Sequence, residues 1–146
     1  MVERYKLIVE AYLLLRKGDE ILLLRRFNTG YEDGNYSLIA GHLEETESVR
    51  SAVIRESQEE VGITLKEGNL DLAHVMHRKP SDGRLALAMF FVADSWGGEP
   101  ENHEPQKCDD LSWFHSERLP ENTIPYIRQA IGCVQAGEMY SEEGWS

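Results

Sequence analysis

Apolar positions along the chain fall into short blocks whose period changes several times. Leu7 to Leu15 is apolar at every position except Glu10, and Ile21 to Leu24 forms a second run. The stretch between them, Arg16-Lys17-Gly18-Asp19-Glu20, has the composition of a turn. Two short, nearly continuous apolar runs around such a turn predict a hairpin with largely buried strands. Residues 28–35 are rich in Gly, Asn and Asp and read as a loop, and Tyr36 to Ala40 reads as a short strand. Leu70 to Met76 and Leu85 to Ala93 read as strands around the turn Pro80-Ser81-Asp82-Gly83, with another short strand at Leu111 to His115.

Two segments carry a helical period. Glu44 to Val61 contains neither glycine nor proline, and Gly62 ends it; Thr46 is the candidate cap. Ile124 to Glu138 is the second helix, with Pro125 in its first turn. The last eight residues, Met139 to Ser146, read as a ragged tail. No linker-like stretch interrupts the chain, and 146 residues suit one domain, so residues 1–146 are read as a single unit.

Composition narrows the function classes. The formal net charge is −11, which argues against stable nucleic-acid binding through the phosphate backbone. The imbalance is local: residues 1–93 carry 15 acidic and 12 basic side chains, residues 94–146 carry 11 and 3. The basic groups gather around the glycine-rich loop (Arg25, Arg26) and the later hairpin (Arg78, Lys79, Arg84), where phosphate contacts are expected. Two distant cysteines, Cys108 and Cys133, make neither a disulfide framework nor a zinc motif. No apolar run nears the roughly 18 residues that span a bilayer, so the expectation is a soluble cytoplasmic protein with no membrane partner.

The first helix breaks the usual rule for a surface helix. At about 100° per residue, Glu56, Glu59 and Glu60 share an arc of about 100°, on the same face as Val49, Ala52 and Val53. Charges normally lie opposite the apolar stripe. Three carboxylates on it repel one another and lose hydration, and oxygen-rich sites of this kind suit Mg²⁺ or Mn²⁺. Arg55 is long enough to reach Glu47 or a carboxylate on another element. Gly41, before the helix, allows close backbone approach and leaves a carbonyl free to coordinate.

The stretch from Gly41 through Glu47, Arg55, Glu56, Glu59, Glu60 and Gly62 to Ile63 resembles the signature of the Nudix (MutT-like) hydrolase family. It matches every charged and glycine position of that pattern. It departs at Ser57, where an aliphatic residue is commoner, and in the lead-in Ile39-Ala40-Gly41-His42, which replaces proline-glycine-glycine. The flanks agree loosely: Gly34 to Leu38, the acidic segment around Glu99-Pro100 and Glu104-Pro105, Leu111 to Phe114, and Leu119-Pro120 before the final helix.

The resemblance implies an α+β fold, a mixed β-sheet sandwiched between helices (α/β/α). It implies metal-dependent hydrolysis of a pyrophosphate linkage in a nucleoside diphosphate derivative, with a nucleoside triphosphate or modified nucleotide as first expectation. Sugar nucleotides or dinucleotides are the alternative, and a catalytically silent binding module a third. Carried over by position, Gly41, Glu56, Glu59 and Glu60 hold Mg²⁺ or Mn²⁺, Glu56 and Glu59 serve catalysis, and Arg55 with Glu47 orients the site. Glu104, and after it Glu101, is the candidate acid from outside the signature. Arg25, Phe27, Tyr31 and Arg78 are expected to contact the substrate, with Tyr36 and Trp96 as further aromatic candidates. His42 is placed to point into the site. His74 and His77 fit either a pocket wall or a structural role. Short members of the family often pair, so a homodimer is an open expectation.

Overall fold

The computed structural model describes residues 2–145. The elements in chain order are β1 (Ile8–Lys17), β2 (Glu20–Arg26), β3 (Tyr36–Ser37), β4 (Ile39–His42), α1 (Val49–Val61), β5 (Asp71–Arg78), β6 (Ala86–Ala93), β7 (Cys108–His115), α2 (Pro125–Ala136) and β8 (Tyr140–Glu143). Among the described residues the strands join into one mixed sheet running β3-β2-β1-β6-β5-β8, with β4 added to β1 and β7 to β2. β1 is its axis. Glu10 to Leu13 pair antiparallel with β4, Ile8 to Leu15 pair parallel with β6, and the end of β1 turns into β2.

The unbroken apolar run of β1 has a simple cause: both of its faces are covered. Tyr12 and Leu14 enter one core with Met76, Phe90, Ile127 and Ile131 beneath α2. Ala11, Leu13 and Leu15 enter a second core with Ile39, Val53, Val61 and Phe91 beneath α1. The layering is therefore α/β/α. Each large aliphatic side chain buried there contributes about 1.5–3 kcal/mol over its exposed state.

The structure moves several element boundaries. α1 begins at Val49, not Glu44, and its cap is Ser48, not Thr46: the Ser48 Oγ accepts the Ser51 N–H at 3.1 Å. Tyr36 to Ala40 is not one strand. Tyr36–Ser37 pairs with β2, whereas Ile39–His42 pairs with β1, so the chain changes neighbours within a few residues. β7 starts earlier than expected, at Cys108. Within the stretch read as a ragged tail, Tyr140–Glu143 forms β8, parallel to β5. Tyr-Ser-Glu-Glu has no apolar alternation, and the strand is held by its register and by His74. That imidazole is fully buried. Its Nδ1 lies 2.7 Å from the Glu138 carbonyl and its Nε2 2.7 Å from the Ser141 hydroxyl. No described helix is long and apolar enough to cross a membrane.

Candidate active site

Gly41 and Glu56 meet at the centre of the site. The β4–β1 pairing sets Gly41 opposite Ala11, on the α1 face of the sheet. A Cβ at position 41 would collide with the Glu56 carboxyl, so any side chain here displaces that carboxyl from its place. Gly62 closes α1 with a left-handed φ of 72°. Ser57 fits its apolar surroundings because its Oγ donates back to the Val53 carbonyl at 2.7 Å.

Arg55 organises the acids. Its Nε and Nη2 hold Glu47 at 3.0 and 2.7 Å, and its Nη1 reaches Glu56 at 2.7 Å and Glu59 at 3.4 Å. Hydrogen bonding to Glu47 comes first among the effects that hold the guanidinium well above its ordinary pKa, and it exceeds the opposing cost of burial. The same contact lowers the Glu47 carboxyl below the usual range. This fork-to-carboxylate contact sets the angle from which the helix acids leave α1.

Glu60 lies deeper. It is pushed well above the ordinary carboxylate range, first by burial, then by its contact with Glu56 and by the charges of Glu56 and Glu104; the Ala40 backbone N–H offsets part of this. Its Oε2 is buried without a hydrogen-bond partner. The loop that brings Glu104 here is pinned to the end of α1: Glu101 N–H donates to the Val61 carbonyl and His103 N–H to the Glu60 carbonyl, both at 3.0 Å. Among the described residues, no three His, Cys, Asp or Glu side chains are already gathered tightly enough to hold a metal ion. Arg55 draws Glu56 and Glu59 aside, and Glu59 is half exposed. The donor set nevertheless fits a divalent cation. A buried carboxyl with one unpartnered oxygen meets a second carboxyl, beside a glycine with no side chain in the way.

These groups open into a cleft of about 630 Å³. Gly41, Glu56, Glu59, Glu60 and Glu104 line it, as do Arg25, Tyr31 and His42 from the sequence reading. Arg25 is engaged by Asp109 at 2.7 Å, and Arg26 by the Tyr31 carbonyl at 2.6 Å and Thr29 Oγ1 at 3.0 Å. Several expected residues lie elsewhere. Phe27 is exposed outside the cleft lining, Trp96 stacks on Trp113, and Arg78 is buried behind the wall, paired with Glu10. Lys79 and Arg84 are also absent from the lining. Glu101 points to solvent, Tyr36 bonds Asp110 at 2.6 Å, and His77 packs on Trp145. Glu10, Tyr12, Lys107 and Tyr126 also line the cleft, and no motif in the sequence marks them. The one signal for Glu10 was its interruption of the first apolar run.

Comparison with known proteins agrees with this architecture. The family model for the NUDIX domain matches residues 5–131. The chain therefore belongs to the Nudix family, whose members hydrolyse pyrophosphate linkages. Its curated relatives include the NAD-capped RNA hydrolase NudC of Stutzerimonas stutzeri, 34% identical over 89% of this chain and 44% of that protein. The NudC of Chromobacterium violaceum is 35% identical over 77% of this chain and 40% of that protein. The chain thus spans less than half the length of these relatives. Among solved structures, a MutT NUDIX hydrolase from Burkholderia pseudomallei superposes with a TM-score of 0.80 at 29% identity, over 88% of this chain and 98% of that one. A MutT protein from Methanosarcina mazei shares the fold, with a TM-score of 0.78 at 24% identity over 92% and 97%.

Proposed function

We propose that this chain is a divalent-metal-dependent hydrolase. It cleaves the pyrophosphate linkage of a nucleoside diphosphate derivative, in the first instance a nucleoside triphosphate or modified nucleotide. One observation carries the reading: the buried Glu60 carboxyl, one oxygen of it unpartnered, packed against Glu56 beside Gly41, at the acidic end of a cleft that opens to solvent. A charged carboxyl in that position is costly to the fold unless a cation shares its charge or a proton neutralises it.

Glu56, Glu59, Glu60 and the Gly41 carbonyl would hold Mg²⁺ or Mn²⁺. When bound, such an ion neutralises phosphate oxygens and lowers the pKa of water. Arg55 anchors Glu47 and holds Glu56 and Glu59 at the mouth of the site, from which these two would turn toward the cation on binding. Glu104 stands across from the helix acids and is the base that takes the proton from the attacking water. Lys107 lines the same cleft and supplies positive charge to the phosphate chain. The water oxygen bonds to phosphorus as the bridging P–O bond breaks, and the leaving group departs with the bridging oxygen and its electron pair.

The kinship with NudC proteins favours a second reading, in which the linkage lies within a dinucleotide. A panel of nucleoside triphosphates, nucleotide sugars and dinucleotides, assayed with Mg²⁺ and with Mn²⁺, separates the two. Glu59→Gln and Glu60→Gln are expected to lower kcat/KM at least about tenfold each, because each removes charge directed at the cation. Parent-like rates in both variants refute the metal-ligand assignment.

A further inference from the structure

Glu10 has no part in the chemistry above, yet its placement is elaborate. It shares a face of β1 with Tyr12, on the α2 side of the sheet, whereas Gly41 and Glu56 meet on the α1 side. Both faces open into the one cleft around the end of β4. The Glu10 Oε1 accepts from Arg78 Nη1 at 3.0 Å and from the Tyr12 hydroxyl at 3.2 Å. Arg78 is 4% exposed; its Nε lies 3.4 Å from Glu143, and its guanidinium lies 3.4 Å from the centre of the Tyr126 ring. The Tyr126 and Tyr12 hydroxyls share a hydrogen bond of 2.9 Å. One carboxylate oxygen is thus held by Arg78 of β5 and Tyr12 of β1, and Tyr126 of α2 supports both of these. The other, Oε2, faces His42 Nε2 at 3.8 Å, beyond hydrogen-bond reach.

A carboxylate on the wall of a cleft for a polyanion repels its ligand. Arg78, closer to Glu10 than to Glu143, offsets part of that charge and leaves a directional acceptor. A buried ion pair of this kind adds little to stability, and apolar side chains often replace it at a gain. We infer that Glu10 is a specificity-determining residue whose Oε2 accepts a hydrogen bond from a donor on the nucleoside part of the substrate, a ribose hydroxyl or a base amino group. The inference rests on the reading of the cleft as a nucleotide pyrophosphatase site.

The test is kcat/KM of the Mg²⁺-loaded enzyme for ATP and GTP and for their 2′-deoxy and 3′-deoxy analogues. Purine riboside triphosphate, which lacks the amino group of ATP, and ITP, which lacks that of GTP, complete the set. For a hydrogen bond to a charged acceptor, removing the donor is expected to cost the parent enzyme about tenfold or more. The deoxy pairs report the ribose, and the desamino pairs report the base. In Glu10→Leu the ratio for the sensitive pair is expected to collapse to near one. Where Glu10→Leu does not fold, Glu10→Leu with Arg78→Met removes both charges and carries the same readout. A purely structural Glu10 lowers all rates together and leaves every ratio intact. Ratios unchanged in the variants, or absent in the parent, overturn this inference while leaving the hydrolase reading standing. A parent enzyme that hydrolyses none of these compounds, nor any in the wider panel, overturns both.

Discussion

The Glu60 carboxyl is buried against Glu56 with one oxygen unpartnered, and burial, together with two nearby acids, opposes its charge. An amide at this position donates to Glu56 and carries no charge. Glu60→Gln is therefore expected to raise the melting temperature of the cation-free protein by several degrees, corresponding to about 1–3 kcal/mol for relieving an unsatisfied buried group. The same variant loses activity. Added Mg²⁺ is expected to raise the melting temperature of the parent and to leave that of the variant nearly still, because binding to the folded state stabilises it by mass action. Thermal melts of both proteins with Mg²⁺ and with EDTA check this; equal Mg²⁺ shifts would count against Glu60 as a ligand. The conflict at Glu60 was legible in the sequence, since three acids on an apolar helix face are visible from spacing alone. Its depth was not, because the Glu104 loop that closes over it is placed by backbone bonds to the end of α1.

At the scale of elements, ends that rest on backbone conformation were legible and ends that rest on remote partners were not. Gly62 and Pro125 marked their helix ends directly. The start of α1 was misplaced because residues 44–47 have helix-forming composition. In the fold the Glu47 carboxylate is claimed by Arg55 and by the Glu44 N–H, which holds that stretch out of the helix. β8 was missed for the same reason: its support comes from β5, in particular from His74. Ser141→Ala strands the buried Nε2 of that imidazole, with an expected loss of about 1–3 kcal/mol. Denaturant unfolding measures it, and a loss below about 0.5 kcal/mol would show that β8 is not held by this contact.

For the molecule as a whole, the sequence exposed the acidic half of the cleft and concealed the other half. The acids lie in one helix and one loop, within a spaced signature. The opposite wall is assembled from β1, α2 and the Lys107 turn, and Glu10, Tyr12, Lys107 and Tyr126 share no local pattern. Arg78 was expected at a phosphate because it is a basic residue on a hairpin strand, but the sheet turns it inward beneath Tyr126.

The parallel pairing of β1 with β6 has a consequence for biogenesis. Both cores are built on β1, yet Ile8 waits for Ala86 and Leu15 for Ala93. On the ribosome, β1 is made well before β6 and stays without its central neighbour until that strand, 78 residues further on in register, has emerged. Closing so long a loop before any contact rewards it is slow, so refolding from urea is expected on the millisecond-to-second scale instead of microseconds. Stopped-flow fluorescence of the native tryptophans reads that rate directly.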